Sequence, residues 1–304
     1  MATATYEEIA QWKPELIRRP NKGFILVAPM SVSIPTAFTS GASADFQALT
    51  GFESLGLIAK DAPPSFKPDI KSNDIESWGA LEATRTDIIT RDLSVTFTAQ
   101  ETKKATLALY SGVDLSNLTA DGTTNEIQYN DPTSPDTEYN RYIFGMVDGS
   151  GANQITILRI IPRGTITEVA EQSWSQEQAL AYNMTVKAKI DSDLGYSLKN
   201  VICGPGLAPI LADMGFTAVA AVPTIASYIP VGNLAAAGGE SIVVTGQHFT
   251  GTTAVTFGGT NAADFTVIND TLLAINTPAK TAGSVNLVIT NGTGASSPFA
   301  VTYA

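Results

Sequence analysis

Stretches in which apolar and polar residues alternate recur along the chain up to about position 220 and predict strands. Residues 92–99 and 184–190 alternate most regularly, with Ser, Thr or Lys between the apolar positions. The apolar positions are Leu93, Val95, Phe97 and Ala99 in the first stretch and Met184, Val186, Ala188 and Ile190 in the second. Apolar runs of strand length also occupy 23–34, 55–58, 141–147 and 154–161. This part of the chain is therefore expected to be mostly β.

One helix is predicted at residues 101–110, ETKKATLALY. Ala105, Ala108 and Leu109 fall on one stripe, Glu101 stands in the expected first turn, and Gly112 offers a stop. Residues 111–138 are rich in Asp, Asn, Thr and Pro, which predicts a long exposed loop.

The composition changes near residue 220. Residues 222–304 contain 14 Thr and 10 Gly, which favours short strands and tight turns over helices. Strands are predicted at 241–245, 254–257, 265–268, 272–275 and 285–289, separated by Gly, Asn-Asp and Pro turns. This spacing is typical of a two-sheet sandwich. We place the domain boundary between residues 221 and 222.

Charge and composition exclude several classes of protein. The 304 residues carry 18 basic and 29 acidic side chains, a net charge of −11. A chain this acidic is unsuited to binding nucleic acid tightly, but it is compatible with DNA that moves along the protein without binding. With 44% apolar and 15% charged residues the chain is expected to fold. It has no run of 18 apolar residues, so no membrane insertion is expected. Residues 1–19 lack the apolar core of a secretory signal, so no export is expected either.

We predict no catalytic, cofactor-binding or metal-binding residues, and therefore no enzyme. A single histidine, His248, and a single cysteine, Cys203, argue against a metalloenzyme or a Ser-His-Asp hydrolase. Asp191 and Asp193 stand two apart after a predicted strand, which is more typical of a solvated turn than of paired carboxylates. His248 is interpreted as the last residue of a strand and Cys203 as a small buried apolar residue.

The remaining candidate motifs are also given structural interpretations. Gly204-Pro205-Gly206 lacks the Lys-Ser/Thr of a phosphate-binding loop. Lys103-Lys104 is expected on the solvated side of the helix. Arg18-Arg19 is either an exposed pair or an anchor of the N-terminal arm on a neighbouring acidic subunit. Sequons at Asn117, Asn183, Asn269 and Asn291 carry little meaning without an export signal.

The C-terminal segment resembles the IPT/TIG immunoglobulin-like domain. The resemblance rests on Pro223, Ile225 and Ile229-Pro230 at the first strand, Gly238-Gly239, Val244-Thr245-Gly246, Phe249, the run 255–259 (VTFGG), Leu272 and Pro278. It implies a binding or spacer role and no activity. The glycines are expected to supply positive φ at turns and bulges.

Residues 1–221 resemble the major tail tube proteins of long-tailed phages, most nearly those of actinobacteria. The resemblance is carried by 50–63 (TGFESLGLIAKDAP), 74–88 (DIESWGALEATRTDI) and 93–112 (LSVTFTAQETKKATLALYSG). It implies a mainly β fold: a tail-tube β-barrel or sandwich with one flanking helix, followed by the Ig-like sandwich.

The resemblance also implies a function and a set of partners. Subunits would close into hexameric rings that stack into a DNA-conducting tube of the virion, made in the host cytoplasm. Partners would be further copies of the chain, a tape measure protein in the lumen during assembly, tail terminator and distal tail proteins, and genomic DNA that passes without specific binding. Acidic residues on the lumen wall would repel DNA phosphate over roughly 8 Å. The N-terminal arm and residues 111–138 are candidates for contacts between rings, and the Ig-like domain would decorate the exterior as a spacer or a weak ligand of host surface glycans.

A second hypothesis stays open at this point. The chain could be a surface adhesin or carbohydrate-binding protein with an Ig-like module. That function requires export, for which the sequence carries no signal.

Overall fold

The chain divides into two compact units, one ending at Ile210 and the other beginning at Leu211. The regular alternations of apolar and polar residues lie in strands of these units. The computed structural model describes residues 5–41, 43–133, 136–217 and 221–304, and for residues 7 and 8 only the backbone. The boundary proposed at 221/222 stays a prediction. In the described part of the chain, no helix combines the length and the apolar character needed to cross a membrane.

The first unit contains ten strands and two α-helices in its described part. The strands are β1 Lys22–Pro29, β2 Thr39–Ser40, β3 Asp45–Phe46, β4 Glu53–Ser54, β5 Ser65–Ile75, β6 Arg85–Ala99, β7 Asn140–Asp148, β8 Ile155–Val169, β9 Tyr182–Lys189 and β10 Lys199–Cys203. The helices are α1 Tyr6–Ala10 and α2 Lys104–Ser111.

The main sheet closes into a barrel. Its strand order is β4-β1-β7-β8-β9-β6-β5, with β10 added on β8. The segment that begins with β4 connects β1, near one end of this order, with β6, near the other end. The Leu55 N–H donates to the Ile25 carbonyl of β1 at 3.0 Å, and the Ala59 N–H donates to the Thr98 carbonyl of β6 at 2.8 Å. The chain between these two bonds therefore bridges β1 and β6, which removes two free strand edges.

Apolar side chains fill the barrel and also cover part of its outside. The interior cluster includes Val95 and Phe97 of β6 and Met184 and Val186 of β9, so the two regular alternations are confirmed. A second cluster lies on the opposite side of β7 and β8, where Ile143, Leu158 and Ile160 pack with Phe38 and Cys203.

The helix begins three residues later than predicted. α2 spans Lys104–Ser111, and Gly112 ends it in the left-handed conformation at φ 64°, as expected. Glu101 precedes the helix because its carboxylate has other partners. Oε1 accepts the N–H of Leu57 at 2.7 Å, and Oε2 lies 2.9 Å from Nζ of Lys103. Lys103, the residue directly before the helix, is extended at φ −93° and ψ 156°.

Several predicted strand bounds were wrong. The run 23–34 ends as a strand at Pro29, and 55–58 contributes only a bridge between Ile58 and Ala99 after the two-residue β4. Ile190 is exposed because β9 ends at Lys189, before the turn at Asp191. The patterns missed β5, most of whose residues are exposed on both faces, and β10. Without a buried face there is no alternation to detect.

The second unit contains a β-sandwich, as predicted. Its strands are β11 Thr224–Ile229, β12 Ser241–Gln247, β13 Thr252–Phe257, β14 Thr260–Asn261, β15 Asp264–Asn269, β16 Leu272–Asn276, β17 Gly283–Asn291 and β18 Phe299–Tyr303. They form two four-stranded sheets in the orders β11-β12-β16-β15 and β14-β13-β17-β18. One apolar cluster fills the space between them, with Val244, Phe257 and Ile289 among its fully buried members. Fold class is therefore confirmed for both parts of the chain.

The glycines of this sandwich serve two different purposes. Gly238-Gly239 and Gly258-Gly259 have positive φ, as expected of turns. Gly246 does not have positive φ, so for that residue the expectation was wrong. A Cβ at Gly246 would collide with the carbonyl oxygen of Thr224. Gly246 is thus needed so that β11 can approach β12.

Candidate assembly surfaces

The turn at Asp191 is a buried electrostatic anchor. The interpretation of this residue as part of a solvated turn was wrong, since Asp191 is only 3% exposed, whereas Asp193 is exposed. Oδ2 of Asp191 lies 3.5 Å from Nη1 of Arg141, close enough for an ion pair but without the alignment of a hydrogen bond. Oδ1 accepts the N–H groups of Asp193 and Leu194 at 3.0 and 3.2 Å. The two aspartates are therefore not brought together as a carboxylate pair.

The other candidates for chemistry occupy structural positions. His248 follows β12 directly, with φ 61°, and its Nδ1 lies 3.9 Å from Oδ2 of Asp270. Cys203 is buried, and burial raises the pKa of its thiol. A Cβ on Gly204 or Gly206 would come within 2.5 Å of a backbone carbonyl oxygen of Gln154 or Asn153, so both glycines permit close backbone packing. In the described ranges, no three His, Cys, Asp or Glu side chains are grouped so as to hold a metal ion.

Two basic pairs make contacts within the chain. Arg18 donates to the main-chain oxygen of Glu15 and lies 3.5 Å from Oδ2 of Asp148, so it fixes the N-terminal arm to its own barrel. Lys104 donates to the carbonyls of Ser116 and Leu118 at 2.7 and 3.1 Å and so holds the start of the loop after α2. Lys104 is exposed, as expected of the solvated side of the helix.

Two of the four sequon asparagines are also structural. Asn183 donates through Nδ2 to Thr98 Oγ1 at 2.8 Å. Asn291 donates through Nδ2 to the carbonyls of Ala221 and His248 at 2.8 and 3.2 Å. Asn117 and Asn269 are exposed.

A projecting hairpin is an exposed feature of the first unit. β5 pairs with β6 from Ser65↔Thr96 to Ile75↔Arg85, whereas β9 pairs with β6 only from Ser94 to Ala99. Residues 70–75 and 85–91 therefore form a two-stranded ribbon about 20 Å long beyond the barrel. We call this ribbon and its turn the hairpin. Two-stranded ribbons are marginal in water unless a third element covers them.

The hairpin leaves apolar side chains uncovered. A bulge after Lys71 places Ile88 opposite Ser72, on the side of the ribbon that continues the barrel interior, next to Ile70. Ile70 and Ile88 are more than half exposed, and Trp78 and Leu81 at the turn are fully exposed. Exposed apolar patches of this kind mark interaction surfaces.

All three tryptophans of the chain are exposed. Trp12 in the arm is 71% exposed and Trp174, between β8 and β9, is 85% exposed; Trp78 stands at the hairpin turn. Tryptophan is enriched in protein interfaces relative to the rest of the surface. Sequence reasoning did not identify these positions. For Trp78 and Trp174 the available signal was a Trp between Ser and Gly or between two Ser in a polar, non-alternating stretch.

A polar surface covers the outside of β6 and β9. Its members are Ser94, Thr96, Thr98, Asn183, Thr185 and Lys187, and we call it the polar face. Their side chains bond to each other: Thr96 and Thr185 hydroxyls lie 2.9 Å apart, and Asn183 donates to Thr98. Four of these six side chains are thus hydrogen-bonded across the two strands.

At its hairpin side the polar face meets a charged cluster. Nζ of Lys187 lies 3.1 Å from Oδ2 of Asp92. The hydrogen bond and the positive charge of Lys187 hold the pKa of Asp92 below its ordinary value, and the charges of Lys189 and Lys71 act in the same direction.

Two of the long strands of the first unit, β5 and β8, each keep a free edge in the described part of the chain. β5 pairs only with β6, and it tolerates Pro68 because an edge strand can spare an N–H. The end of β8 pairs with β9 on one side only, since its pairing with β7 ends at Gly164. Unpaired edges are places where a further strand can add.

Comparison with known proteins places the chain in a family. A family model described as phage tail tube protein matches residues 12–201, and one described as IPT/TIG domain matches residues 223–303. No curated protein sequence matches the chain.

Solved structures give only slight likenesses. SGBP-B from a complex xyloglucan utilization locus in Bacteroides uniformis is 15% identical, with a TM-score of 0.25 over 49% of this chain and 45% of that chain. Gamma-CGTase from alkalophilic Bacillus clarkii is 13% identical, with a TM-score of 0.25 over 57% and 25%. SGBP-B of the Bacteroides ovatus mixed-linkage glucan utilization locus is 11% identical, with a TM-score of 0.24 over 62% and 63%. The chain spans less than two thirds of each, and these scores carry no inference.

The tail tube match covers more than half of the 304 residues and includes the barrel, the hairpin and the polar face. The second match covers the sandwich of the second unit. The chain therefore belongs to the phage tail tube protein family and carries an IPT/TIG domain in its C-terminal part.

Proposed function

We propose that this protein is the major tail tube subunit, which assembles with copies of itself into stacked hexameric rings that conduct DNA. The observation that carries the proposal is the hairpin, where Ile70, Ile88, Trp78 and Leu81 are exposed in the single chain. A ribbon with this composition is stabilised when another subunit covers it. Family membership supports the same conclusion.

Ring closure is assigned to the two free strand edges. β5 lies at one border of the sheet segment β5-β6-β9-β8, and residues 165–169 of β8 lie at the other. Pairing the β5 edge of one copy with the β8 edge of the next would extend the sheet from subunit to subunit. The contact is heterologous, and it closes into a ring when the rotation between copies divides a full turn.

The polar face is our candidate for the lumen wall. The Thr96 and Thr185 hydroxyls bond to each other and the Thr98 hydroxyl accepts from Asn183, and the face offers DNA no apolar anchors. Passage without specific binding follows from that chemistry. The sequence-based expectation that carboxylates line the lumen stays a prediction; at this face Asp92 is accompanied by Lys71, Lys187 and Lys189.

The Ig-like domain is assigned to the tube exterior, as a spacer. Its exposed large apolar side chains, across residues 222–304, are aliphatic: Val222, Ile229, Val231 and Ile268. Sugar recognition by stacking needs exposed aromatic rings, so a weak contact with host glycans has less support than a spacing role. The tape measure, tail terminator and distal tail proteins, and synthesis in the host cytoplasm, also remain proposals drawn from the family.

Negative-stain electron microscopy of the purified full chain tests the proposal. We expect annuli and tubes. A population of monomers that never closes into annuli, and that binds polysaccharide in a pull-down, would overturn it in favour of the adhesin hypothesis.

A further inference from the structure

The arm and two acidic loops lie at opposite ends of the barrel. β1 starts with Lys22 opposite Val147, and Asp148 pairs with Ile155, so the arm leaves at the Ile155 end of β8. The loop between β8 and β9, residues 170–181, leaves at the Val169 end. β8 has 15 residues, which separates the two ends by about 50 Å.

The loop after α2 lies at the same end as the loop 170–181. The Tyr110 hydroxyl, in the last turn of α2, donates to the Ala170 carbonyl at 2.7 Å. The loop 112–139 therefore starts beside residue 170, and it returns to the barrel at Asn140, opposite Gly164 of β8. We call the described parts of these loops, residues 112–133, 136–139 and 170–181, together the acidic end.

Residues 13–22 of the arm and the acidic end carry opposite charge, whereas the first part of the arm contains Glu7 and Glu8. The acidic end contains eight carboxylates and no Lys, Arg or His: Asp114, Asp121, Glu126, Asp131, Asp136, Glu138, Glu171 and Glu177. Residues 13–22 of the arm contain Lys13, Arg18, Arg19 and Lys22 against Glu15 alone, which gives 4 − 1 = +3. We call residues 13–22 the basic segment. Arg18 fixes this segment to Asp148, so its charge is held in place.

The acidic end also offers an apolar hollow. Trp174, Leu180 and neighbouring Ser and Gln side chains enclose about 440 Å³, within the range of roughly 300–1,000 Å³ that is usual for binding pockets. The indole of Trp174 is oriented by a hydrogen bond from Nε1 to Gln172 Oε1 at 3.2 Å, and Gln172 Nε2 donates to the Ala181 carbonyl. The basic segment is flanked by a matching group, the exposed Trp12.

We infer that the basic segment of one copy, together with Trp12, docks on the acidic end of the next copy in the stack. This inference rests on the proposed function and names the contact that joins rings. The hairpin turn is the less suitable occupant, because Glu76 and Glu82 flank Trp78 and would face Glu171 and Glu177. Opposite charges at opposite ends favour a head-to-tail contact and disfavour joining like ends.

Charge reversal with rescue tests the inference on the full chain. Arg19→Glu is expected to shorten tubes about tenfold or more while rings still form, and Glu177→Lys in the same chain should restore part of the length. Lys280→Glu, in the Ig-like domain, is the control of equal charge change and should leave tube length unchanged. Tube length is measured by electron microscopy and by sedimentation at low and high salt, since salt should weaken the contact.

If Arg19→Glu folds poorly, crosslinking tests the docking of the basic segment on the acidic end instead. A chain with Ile17→Cys and Gln176→Cys keeps Trp12 and every charge of the basic segment, and Ile17 is exposed. Treated with a short bis-maleimide, this chain is expected to give a ladder of linked subunits from tubes. The control pair, Ile17→Cys with Thr253→Cys, should not.

The outcomes separate the two proposals. Wild-type protein that makes neither rings nor tubes refutes the proposed function. Normal tubes from Arg19→Glu, or tubes of the Ile17→Cys, Gln176→Cys chain that yield no ladder, overturn this inference alone. Folded Arg19→Glu protein that fails to form even rings also overturns it, since the arm would then act within a ring.

Discussion

Arg141 and Asp191 form an ion pair that is almost wholly removed from water. Their side chains are 11% and 4% exposed, and Nη1 of Arg141 lies 3.5 Å from Oδ2 of Asp191. Arg141 also donates through Nε to the Met30 carbonyl at 3.2 Å. The pair thus connects the start of β7 with the segments after β1 and after β9. Removing one partner would leave a buried charge without compensation.

Asp191→Ala should therefore destabilise the first unit strongly. We expect the free energy of unfolding to fall by about 3–5 kcal/mol, from loss of the ion pair and of the two turn hydrogen bonds. Urea unfolding followed by circular dichroism measures the change. Asp193→Ala alters the exposed neighbour and should stay within about 0.5 kcal/mol of wild type. Equal stabilities of the two variants would contradict the anchoring role of Asp191.

Glu101 should make barrel closure sensitive to acid. Lys103 and the Leu57 N–H hold the pKa of Glu101 below its ordinary value of 4.5. A carboxylate with a lowered pKa stabilises the fold above its ordinary pKa, and this stabilisation is lost as pH falls through the lowered value. Amide hydrogen exchange at Leu57, corrected for the intrinsic pH dependence of exchange, should accordingly accelerate below about pH 4.5.

Two substitutions of Glu101 separate charge from hydrogen bonding. Glu101→Ala should accelerate exchange at Leu57 several-fold at neutral pH, whereas Glu101→Gln keeps an acceptor and should mainly remove the pH dependence. Glu82→Ala, an exposed change at the hairpin turn, is the control. The closure argument fails if exchange at Leu57 is the same in all three variants.

Asn291 should be important for the stability of the Ig-like domain. In Asn291→Asp, the donors to the Ala221 and His248 carbonyls are lost, and we expect a cost of about 1–3 kcal/mol. Calorimetry of the full chain should show this as a lower unfolding temperature for the second unit. Asn269→Asp retains the oxygen that accepts the Thr271 N–H and should be nearly neutral. Similar shifts in both variants would count against the specific role of Asn291.

Removal of residues 223–304 should leave polymerisation intact, because the hairpin, the free edges and the arm all belong to the first unit. Electron microscopy should show thinner tubes, with circular dichroism confirming that the barrel is folded. If a folded truncated chain makes no tubes, the assignment of the Ig-like domain to decoration is wrong.

Assembly should change the environment of the tryptophans. Trp12, Trp78 and Trp174 are exposed in the single chain, so their emission should shift to shorter wavelength when subunits cover them. Trp78→Phe should remove part of the shift, and this variant should fold because the replaced side chain is fully exposed. Identical emission from subunits and tubes would show that these indoles lie outside the contacts.

Sequence patterns predicted the parts of the fold in which one face of a strand is buried. The alternation at Val95 and Phe97, and at Met184 and Val186, indicated correct strands because burial on one face imposes a period of two. The patterns did not predict β5 because neither of its faces is buried within the single chain. In our proposal another subunit covers it. The burial of Asp191 could not be foreseen, since its partner Arg141 lies far away in sequence, on a different strand. Candidate interface residues such as Trp174 were likewise unmarked, because a single chain carries no pattern for a surface that only assembly would bury.

The placement of the N-terminal arm and the loop 170–181 at opposite ends of β8 gives any linear array of these subunits a direction. One tip of such a rod would display lysines, arginines and indole rings, while the other would display carboxylates around a cavity. A capping protein suited to one tip would be repelled by the other. Two unrelated proteins would then act on the array, one starting growth at one end and the other stopping it at the opposite end. Each would recognise its end by charge and would not need to sense the length of the array.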